Sequence, residues 1–281
     1  MAAVNFREKL LQGLGGDWPA GGDLRPQIRE SVQKDGYRLE TVTYEVEAGD
    51  RVPAHLLIPD GVNSQHPAPA VAVWHQHNGA YHIGKSEPAG LAGASMHHTG
   101  VALAKEGYVA LAVDLYRGKA TDKQEEAHQL MSGMPQDRAV RDPKAAYAYL
   151  KARKDVRASR IGSIGWCMGG KFSLLLAAEE PTLAAAVAYY GAPPTDAAMI
   201  AKIKAPVLGN YGELDKGPSP EQVKAFEAAM KTAGKSVDAK IYPGAGHAFA
   251  NPNNPWKGYR EAAARDAWTR TTAFFAKHLK K

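Results

Sequence analysis

The single cysteine of the chain, Cys167, lies in a glycine-rich stretch whose pattern suits a catalytic nucleophile. The apolar run from Ile161 to Gly165 ends just before it, Gly169 and Gly170 follow, and a helical pattern begins at once. A nucleophile on a sharp strand-to-helix turn requires glycines beside it, because larger residues would collide with the neighbouring strand and helix. A thiol at a helix N-terminus is favoured as thiolate. A buried structural cysteine beside a glycine-rich turn is the alternative interpretation.

Two residues further along the chain are of the types that a cysteine nucleophile needs as partners. His247 lies on a loop between glycines after the last predicted strand, and we expect it to act as the base. Asp215 follows an earlier strand and is expected to orient the imidazole. Glu213 is the alternative acid, but Asp215 is favoured because it lies deeper in its loop.

The remaining site residues are expected around the nucleophile. The backbone N–H groups of Met168 and His77 are predicted to form the oxyanion hole, where only amides are needed. Substrate contacts are expected from Gln76, Tyr116, Arg117 and Trp256. For Tyr116 and Trp256, plain core packing is an equal alternative.

Alternating apolar strands and helices after residue 70 supply the elements that position these residues. Strands are predicted over 37–46, 52–58, 70–75, 109–113, 160–165, 184–190, 205–211 and 236–242, and helices over 92–106, 137–153, 219–233, 258–279 and from 168 onward. This order predicts an α/β protein with an eight-stranded, mostly parallel sheet, helices on both faces and an N-terminal antiparallel hairpin. Residues 1–35, with a short helical segment at about 4–13, are predicted to form an N-terminal arm on one domain of residues 36–281. The nucleophile, acid and histidine each follow a strand, and in such sheets reactive groups gather at the carboxyl ends of strands.

Composition limits the classes of function. The chain has 281 residues, of which 44% are hydrophobic and 23% charged, and one cysteine excludes an internal disulfide. No signal peptide or membrane span is recognised, so a cytoplasmic location is expected. The net charge of +6 is scattered without a nucleic-acid motif, so neither nucleic acid nor membrane is expected as a partner.

Several histidines in the stretch 76–98 raise the question of a metal site. His77, His82, His97 and His98 are close in sequence, but no carboxylate or cysteine stands at ligand spacing. Adjacent histidines such as His97 and His98 rarely bind the same ion. We therefore expect no metal and no other cofactor, and interpret these residues as part of a polar and aromatic pocket wall.

From about residue 40 onward the chain resembles the dienelactone hydrolase family of α/β-hydrolases. The similar stretches are 165–170 (GWCMGG), 114–116 (DLY), 212–215 (GELD), 246–251 (GHAFAN) and 259–268 (YREAAARDAW). The resemblance implies a triad of Cys167, Asp215 and His247 that hydrolyses esters or lactones through a thioester without a cofactor. The N-terminal hairpin and the insert 76–98 also resemble relatives of the acetyl xylan esterase and prolyl oligopeptidase type.

The chain departs from the family pattern at three positions. Gln76 stands where the family has a glutamate that helps to activate the cysteine, so activation is expected from His247 alone. Gly118 and Asn251 stand where the family has arginines that hold a substrate carboxylate, and Arg117 lies one place early. These departures predict a hydrolase of neutral esters or lactones.

Other functions fit the same residues. The main alternative is a non-catalytic binding protein of the same fold, since fold alone does not establish activity. A hydrolase whose main substrate is an activated phosphotriester or a thioester is another alternative, and a thiol-redox role is disfavoured because a single cysteine has no resolving partner. The expected partner is a small-molecule ester or lactone, and the expected state is a monomer or homodimer.

Overall fold

The computed structural model describes residues 23–76, 84–91, 98–119, 121, 123–254 and 257–281. Within these ranges the strands are β1 (Gln27–Lys34), β2 (Tyr37–Glu47), β3 (Asp50–Pro59), β4 (Ala68–Trp74), β5 (Val109–Val113), β6 (Val156–Trp166), β7 (Ala185–Tyr189), β8 (Val207–Gly212) and β9 (Val237–Tyr242). The helices are α1 (Thr99–Lys105), α2 (Gln124–Ser132), α3 (Gln136–Ala152), α4 (Met168–Glu179), α5 (Ala197–Lys202), α6 (Pro220–Thr232) and α7 (Glu261–Leu279), with one 3₁₀ turn at Gly84–Ser86.

All nine strands form one mixed sheet in the order β1-β2-β3-β5-β4-β6-β7-β8-β9. The pairs β1–β2, β2–β3 and β3–β5 are antiparallel, and every pair from β5 to β9 is parallel. The predicted α/β class, mostly parallel sheet and N-terminal antiparallel hairpin are therefore confirmed. The sheet has one strand more than the eight expected from the sequence.

The additional strand is β1, which lies in the segment assigned to an N-terminal arm. Its eight residues, QIRESVQK, are all exposed. Because neither face of this strand is buried, its sequence lacks the alternation of apolar and polar residues by which a strand is recognised. Backbone pairing joins it to β2, from Gln27 opposite Thr43 to Lys34 opposite Tyr37. Charged side chains on such an edge strand discourage pairing with other chains. The predicted boundary at residue 35 stays a prediction, but residues 27–34 belong to the same sheet as the hairpin.

The central strands are apolar because helices cover both faces of the sheet. Every residue of β4, β5, β7 and β8 is buried. Apolar residues of α3, α4 and α6 pack in one hydrophobic cluster with one face. Residues of α1 and α7 pack in a second cluster with the other face.

Helix boundaries differ from the prediction at two places that flank the site. The last helix begins at Glu261 rather than at 258, and α1 begins at Thr99, whereas residues 92–97 of the predicted helix lie outside the described residues. The short helix α5 was not predicted, because its six residues are too few for a periodic pattern. None of the helices in the described ranges combines the length and the apolar character of a bilayer span.

Candidate active site

The turn that was predicted to carry the nucleophile forms where β6 ends and α4 begins. Cys167 is the N-cap of α4 with φ 54° and ψ −118°, and its N–H donates to the carbonyl of Tyr189 at 2.9 Å. A side chain at Gly165 would overlap the carbonyl of Gly169, and one at Gly169 would overlap the carbonyl of Trp74. The glycines are thus required by close backbone approach, as the sequence predicted, and they hold the cysteine in a conformation that costs strain.

Cys167, His247 and Asp215 are joined by hydrogen bonds in series. The Sγ atom of Cys167 lies 3.2 Å from Nε2 of His247. Nδ1–H of the same imidazole donates to Oδ2 of Asp215 at 2.8 Å. The other carboxylate oxygen of Asp215 accepts from the N–H of Gly217 at 2.9 Å. Three residues separated by up to 80 positions are thus brought into one geometry suited to proton transfer and nucleophilic attack.

Glu213, the alternative acid, lies outside this series. Its carboxylate accepts from the backbone N–H of Gly244 at 2.8 Å, in an exposed position at the base of the histidine loop. Asp215, in contrast, is only 5% exposed. Asp215 is therefore the residue that accepts the hydrogen bond from His247.

The electrostatic environment stabilises a protonated imidazole. Burial lowers the pKa of His247, but the hydrogen bonds to Asp215 and Cys167 and the charges of both raise it to about 10. The hydrogen bonds to Asp215 and Cys167 thus favour the imidazolium form of His247.

The loop that carries His247 is fixed by contacts that the sequence did not reveal. The side-chain amide of Asn254 donates to the carbonyls of His247 and Ala248 at 2.9 and 3.0 Å. The buried ring of Tyr190 lies 5.2 Å from the imidazole and 5.5 Å from Phe249, measured between ring centroids. These contacts limit the orientations that the imidazole can adopt. An asparagine seven residues after the histidine gave no pattern by which this role was predictable.

Of the two backbone N–H groups predicted for the oxyanion hole, the structure describes only that of Met168. Met168 is the first residue of α4, where a backbone N–H has no intrahelical acceptor. Its N–H is therefore available beside the nucleophile. The other predicted donor, His77, lies outside the described residues.

Tyr116 and Gln76 are both buried, but only the side chain of Tyr116 has a hydrogen-bond partner among the described residues. The hydroxyl of Tyr116 donates to Sδ of Met168 at 3.3 Å, and burial together with the charge of Cys167 raises the pKa of this phenol. Gln76 is 9% exposed, and neither atom of its amide has a hydrogen-bond partner in the described part of the chain. Trp256, also predicted to contact substrate, lies outside the described residues.

Arg117 is held by ion pairs with two carboxylates. Its Nη2 and Nε atoms donate to the two carboxylate oxygens of Asp142 at 2.6 and 3.0 Å. A further pair joins it to Asp50, the first residue of β3. Substrate binding by this guanidinium would require these bonds to break. The structure thus gives Arg117 a role in tying the loop after β5 to α3 and the hairpin.

A cavity of about 460 Å³ opens beside Cys167 and His247. Its other described lining residues are Ser132, Met134, Ala139, Met168, Lys171, Phe172, Tyr190, Ala192 and Gly217. Most of this wall is apolar, which suits an organic substrate. Lys171 and Tyr190 were not predicted as lining residues. Two sequence signals could have indicated them: Lys171 follows Cys167 by four residues, and Tyr190 is an aromatic residue at the end of a predicted strand.

The described residues contain no group of three or more histidine, cysteine or acidic side chains placed to hold a metal ion. Of the four histidines considered for metal binding, only His98 lies within the described ranges.

Comparison with known proteins places this arrangement in a family. The profile of the dienelactone hydrolase family matches residues 53–279, which include the elbow, the acid and the histidine. The chain belongs to the dienelactone hydrolase family. Members of the family act on ester bonds, and the fold is the α/β-hydrolase fold.

Two curated dienelactone hydrolase relatives show how far the similarity extends. A protein of Methylorubrum extorquens, provisionally named carboxymethylenebutenolidase, is 35% identical in an alignment of 190 residues, with 63% of this chain and 65% of that protein covered. This match thus spans slightly less than two thirds of the relative's length. A protein of Yersinia pestis with the same provisional name is 31% identical in an alignment of 268 residues, with 88% of this chain and 91% of that one covered.

Solved structures agree with the family assignment. A provisionally assigned dienelactone hydrolase from Klebsiella pneumoniae is 30% identical with a TM-score of 0.67, covering 82% of this chain and 94% of that chain. Acetyl xylan esterase 1 from Thermoanaerobacterium shares the fold, with a TM-score of 0.63 over 91% of this chain and 88% of that chain, at 16% identity.

Proposed function

We propose that this dienelactone hydrolase family member is a cofactor-independent hydrolase of carboxylic esters or lactones with Cys167, His247 and Asp215 as its triad. The observation that carries the proposal is the hydrogen-bonded series from the thiol to the buried carboxylate at a strained elbow. Its substrate is expected to be a small molecule that enters the cavity beside the thiol. A cytoplasmic location and a monomeric or homodimeric state remain predictions.

In the first half of the proposed reaction, the Cys167 thiolate attacks the ester carbonyl and a C–S bond forms. The carbonyl oxygen gains the electron pair and accepts hydrogen bonds from the N–H of Met168 and, as predicted from the sequence, of His77. When the C–O bond breaks, the His247 imidazolium donates its proton to the departing alkoxide. The raised pKa of His247 supplies this acid at neutral pH.

In the second half, water attacks the thioester and His247 accepts its proton. Once the sulfur is acylated, its negative charge no longer supports the imidazolium, so the pKa of His247 falls and the ring becomes a better base. The C–S bond then breaks, which releases the acid and regenerates the thiolate–imidazolium pair. Asp215 holds Nδ1–H throughout and keeps Nε2 directed at the sulfur.

The experiment that tests this proposal compares the wild type with Cys167→Ala and Cys167→Ser on p-nitrophenyl acetate, p-nitrophenyl butyrate and small lactones. Cys167→Ala is expected to lose turnover while retaining the melting temperature. Cys167→Ser is expected to keep the fold and to change the balance of acylation and deacylation. An acyl adduct on intact wild-type protein, seen by mass spectrometry, would support the thioester. Unchanged esterase activity in Cys167→Ala would refute the triad, and absence of any burst or turnover in the wild type would favour the binding-protein alternative.

A further inference from the structure

A second cavity lies where α1 and α7 meet the ends of β6 and β7. Its volume is about 250 Å³, and its described lining consists of Thr99, Ala102, Trp166, Tyr189, Ala250, Pro252, Tyr259, Ala264 and Trp268. None of these residues belongs to the described wall of the catalytic cavity, which comes from α3, α4 and the segments beside them. The two cavities therefore have separate walls, although Trp166 directly precedes Cys167 in the chain.

Aromatic rings form much of the wall of this second cavity. Trp166 and Tyr189 are the last residues of β6 and β7, and both are buried. Their rings are stacked, with centroids 5.2 Å apart and planes inclined by 29°. Tyr259 and Trp268 are only partly buried, so a ligand can enter from the surface on their side. Flat, preformed aromatic walls of this kind suit a planar ring.

One polar group of the wall has no hydrogen-bond partner among the described residues. Thr99 is 1% exposed, and its Oγ1 atom is buried and unpaired. In contrast, the hydroxyl of Tyr189 is hydrogen-bonded to Oγ1 of Thr271 at 2.8 Å. Buried hydroxyls in native proteins are normally satisfied, because an unpaired one is destabilising. A carbonyl oxygen on a ligand in the cavity would accept a hydrogen bond from Thr99 and remove this cost.

The charge and size of the cavity limit the ligand further. Its described lining contains no lysine, arginine, histidine, aspartate or glutamate. A charged ligand would lose its hydration in the cavity without gaining an ion pair, so a neutral one is favoured. The volume exceeds the roughly 150 Å³ of a cavity that binds benzene, which leaves room for a ring with a small substituent.

We propose that this cavity is a second small-molecule site, which binds a neutral benzene-sized ring that carries a carbonyl group. The ring packs against Trp166 and Tyr189, and the carbonyl oxygen accepts a hydrogen bond from Oγ1–H of Thr99. Binding at this site requires neither Cys167 nor His247. The inference therefore goes beyond the proposed hydrolase function and does not depend on it.

The test uses fluorine NMR to measure the dissociation constants of two probes that contain no ester bond. One is p-fluoroacetophenone, which carries a carbonyl group. The other is p-fluoro-α-methylstyrene, in which a CH₂ group of similar shape replaces the carbonyl oxygen. Both are titrated into protein whose single cysteine has been alkylated with N-ethylmaleimide, so that the catalytic cavity is blocked. The decisive quantity is the Kd of the styrene divided by the Kd of the ketone.

Both probes are expected to bind the alkylated wild type with a Kd of about 1 mM or below, as suits ligands of this size. Thr99→Val keeps the shape of the side chain and should lower the ratio about fivefold, the contribution of one neutral hydrogen bond. Because the hydroxyl is unpaired in the protein, this variant should melt at or above the wild-type temperature.

Ala264→Leu places a larger side chain in the cavity wall and should weaken the binding of both probes about tenfold. Ala262→Leu is the matched control. It introduces the same side chain at an exposed position of α7 outside the described lining, and should leave both constants within about twofold of the wild type.

Three results would overturn the inference. The first is the absence of saturable binding of either probe to the alkylated wild type. The second is an unchanged ratio in Thr99→Val, which would mean that the hydroxyl does not contact the carbonyl oxygen. The third is wild-type affinity for both probes in a folded Ala264→Leu protein, which would mean that they bind elsewhere.

Discussion

Replacement of Asp215 by asparagine tests how the triad is held together. The carboxylate is 5% exposed and accepts a 2.8 Å hydrogen bond from Nδ1–H of His247. Asparagine has nearly the same shape but no charge. It also offers an N–H₂ group, which can hold the imidazole in the tautomer with its proton on Nε2. In that tautomer the ring cannot take a proton from the thiol.

The magnitude follows from the type of bond that is lost. A hydrogen bond to a charged group contributes about 1.5 to 3 kcal/mol. At 1.36 kcal/mol for each tenfold change, Asp215→Asn should lower the population of the thiolate–imidazolium pair about 10- to 150-fold. The pKa of His247 should fall in the same variant, since Asp215 is a main cause of its elevation to about 10.

The single cysteine makes the thiolate directly measurable. Iodoacetamide alkylates only thiolates, and Cys167 is the one cysteine of the 281 residues, so a single adduct in the intact mass reports on the site. We expect the second-order alkylation rate at about pH 6 to fall 10- to 150-fold in Asp215→Asn, and kcat/KM for p-nitrophenyl butyrate to fall by a similar factor.

Glu213→Gln is the matched control. It makes the same change of charge two residues away, on a carboxylate that bonds to the backbone of Gly244 instead of to the imidazole. This variant should alkylate and turn over within about threefold of the wild type. Equal losses in the two variants, or an unchanged alkylation rate in a folded Asp215→Asn protein, would contradict the reasoning.

Three further perturbations test the surroundings of the site. Because the pKa of His247 is raised from 6.5 to about 10 on folding, its contribution to stability is complete below pH 6.5 and is lost as the pH rises through about 10. The difference in unfolding free energy between wild type and His247→Gln, from urea titrations at several pH values, should shrink over that range, and a difference that grows would contradict the sign. Gly169→Ala should lower the free energy of unfolding by about 3 kcal/mol and remove most of the activity, because the new methyl group overlaps the backbone at the end of β4. An unchanged free energy of unfolding in a urea titration would argue against this close approach. Asp142→Asn should lower the free energy of unfolding by about 3 kcal/mol, since this carboxylate is only 2% exposed and pairs with Arg117. Asp50→Asn, at 41% exposure, should lower it by less than about 1 kcal/mol in the same titration.

The predicted parts of the site are those determined by local chain geometry. The glycines around Cys167 signal a turn in which backbones approach closely, and that requirement is visible in sequence because no larger residue fits. The order of nucleophile, acid and histidine follows from the alternation of strands and helices, which places their loops at one edge of the sheet. Apolar runs such as β4 and β5 were recognisable because both of their faces are covered.

Contacts between distant segments could not be predicted in this way. The preference for Asp215 over Glu213 rested on loop position, whereas the structure decides it by the distance to an imidazole 32 residues away. The ion pairs of Arg117 with Asp142 and Asp50 likewise join segments that are distant in sequence, so no local pattern indicated them.

The fold class, the glycine-flanked turn at Cys167 and the residue types of the proposed triad are visible in the sequence, because each leaves a local signature of glycines, apolar periodicity or loop position. Only the tertiary structure decided what surrounds them. β1 has no buried face, and its backbone pairing with β2 leaves no pattern in its sequence. Lys171 is a cavity residue because the start of α4 lies beside segments that are distant in sequence, such as those that carry Met134 and His247. Periodicity records which residues are buried, but the neighbours of a side chain depend on how the elements pack.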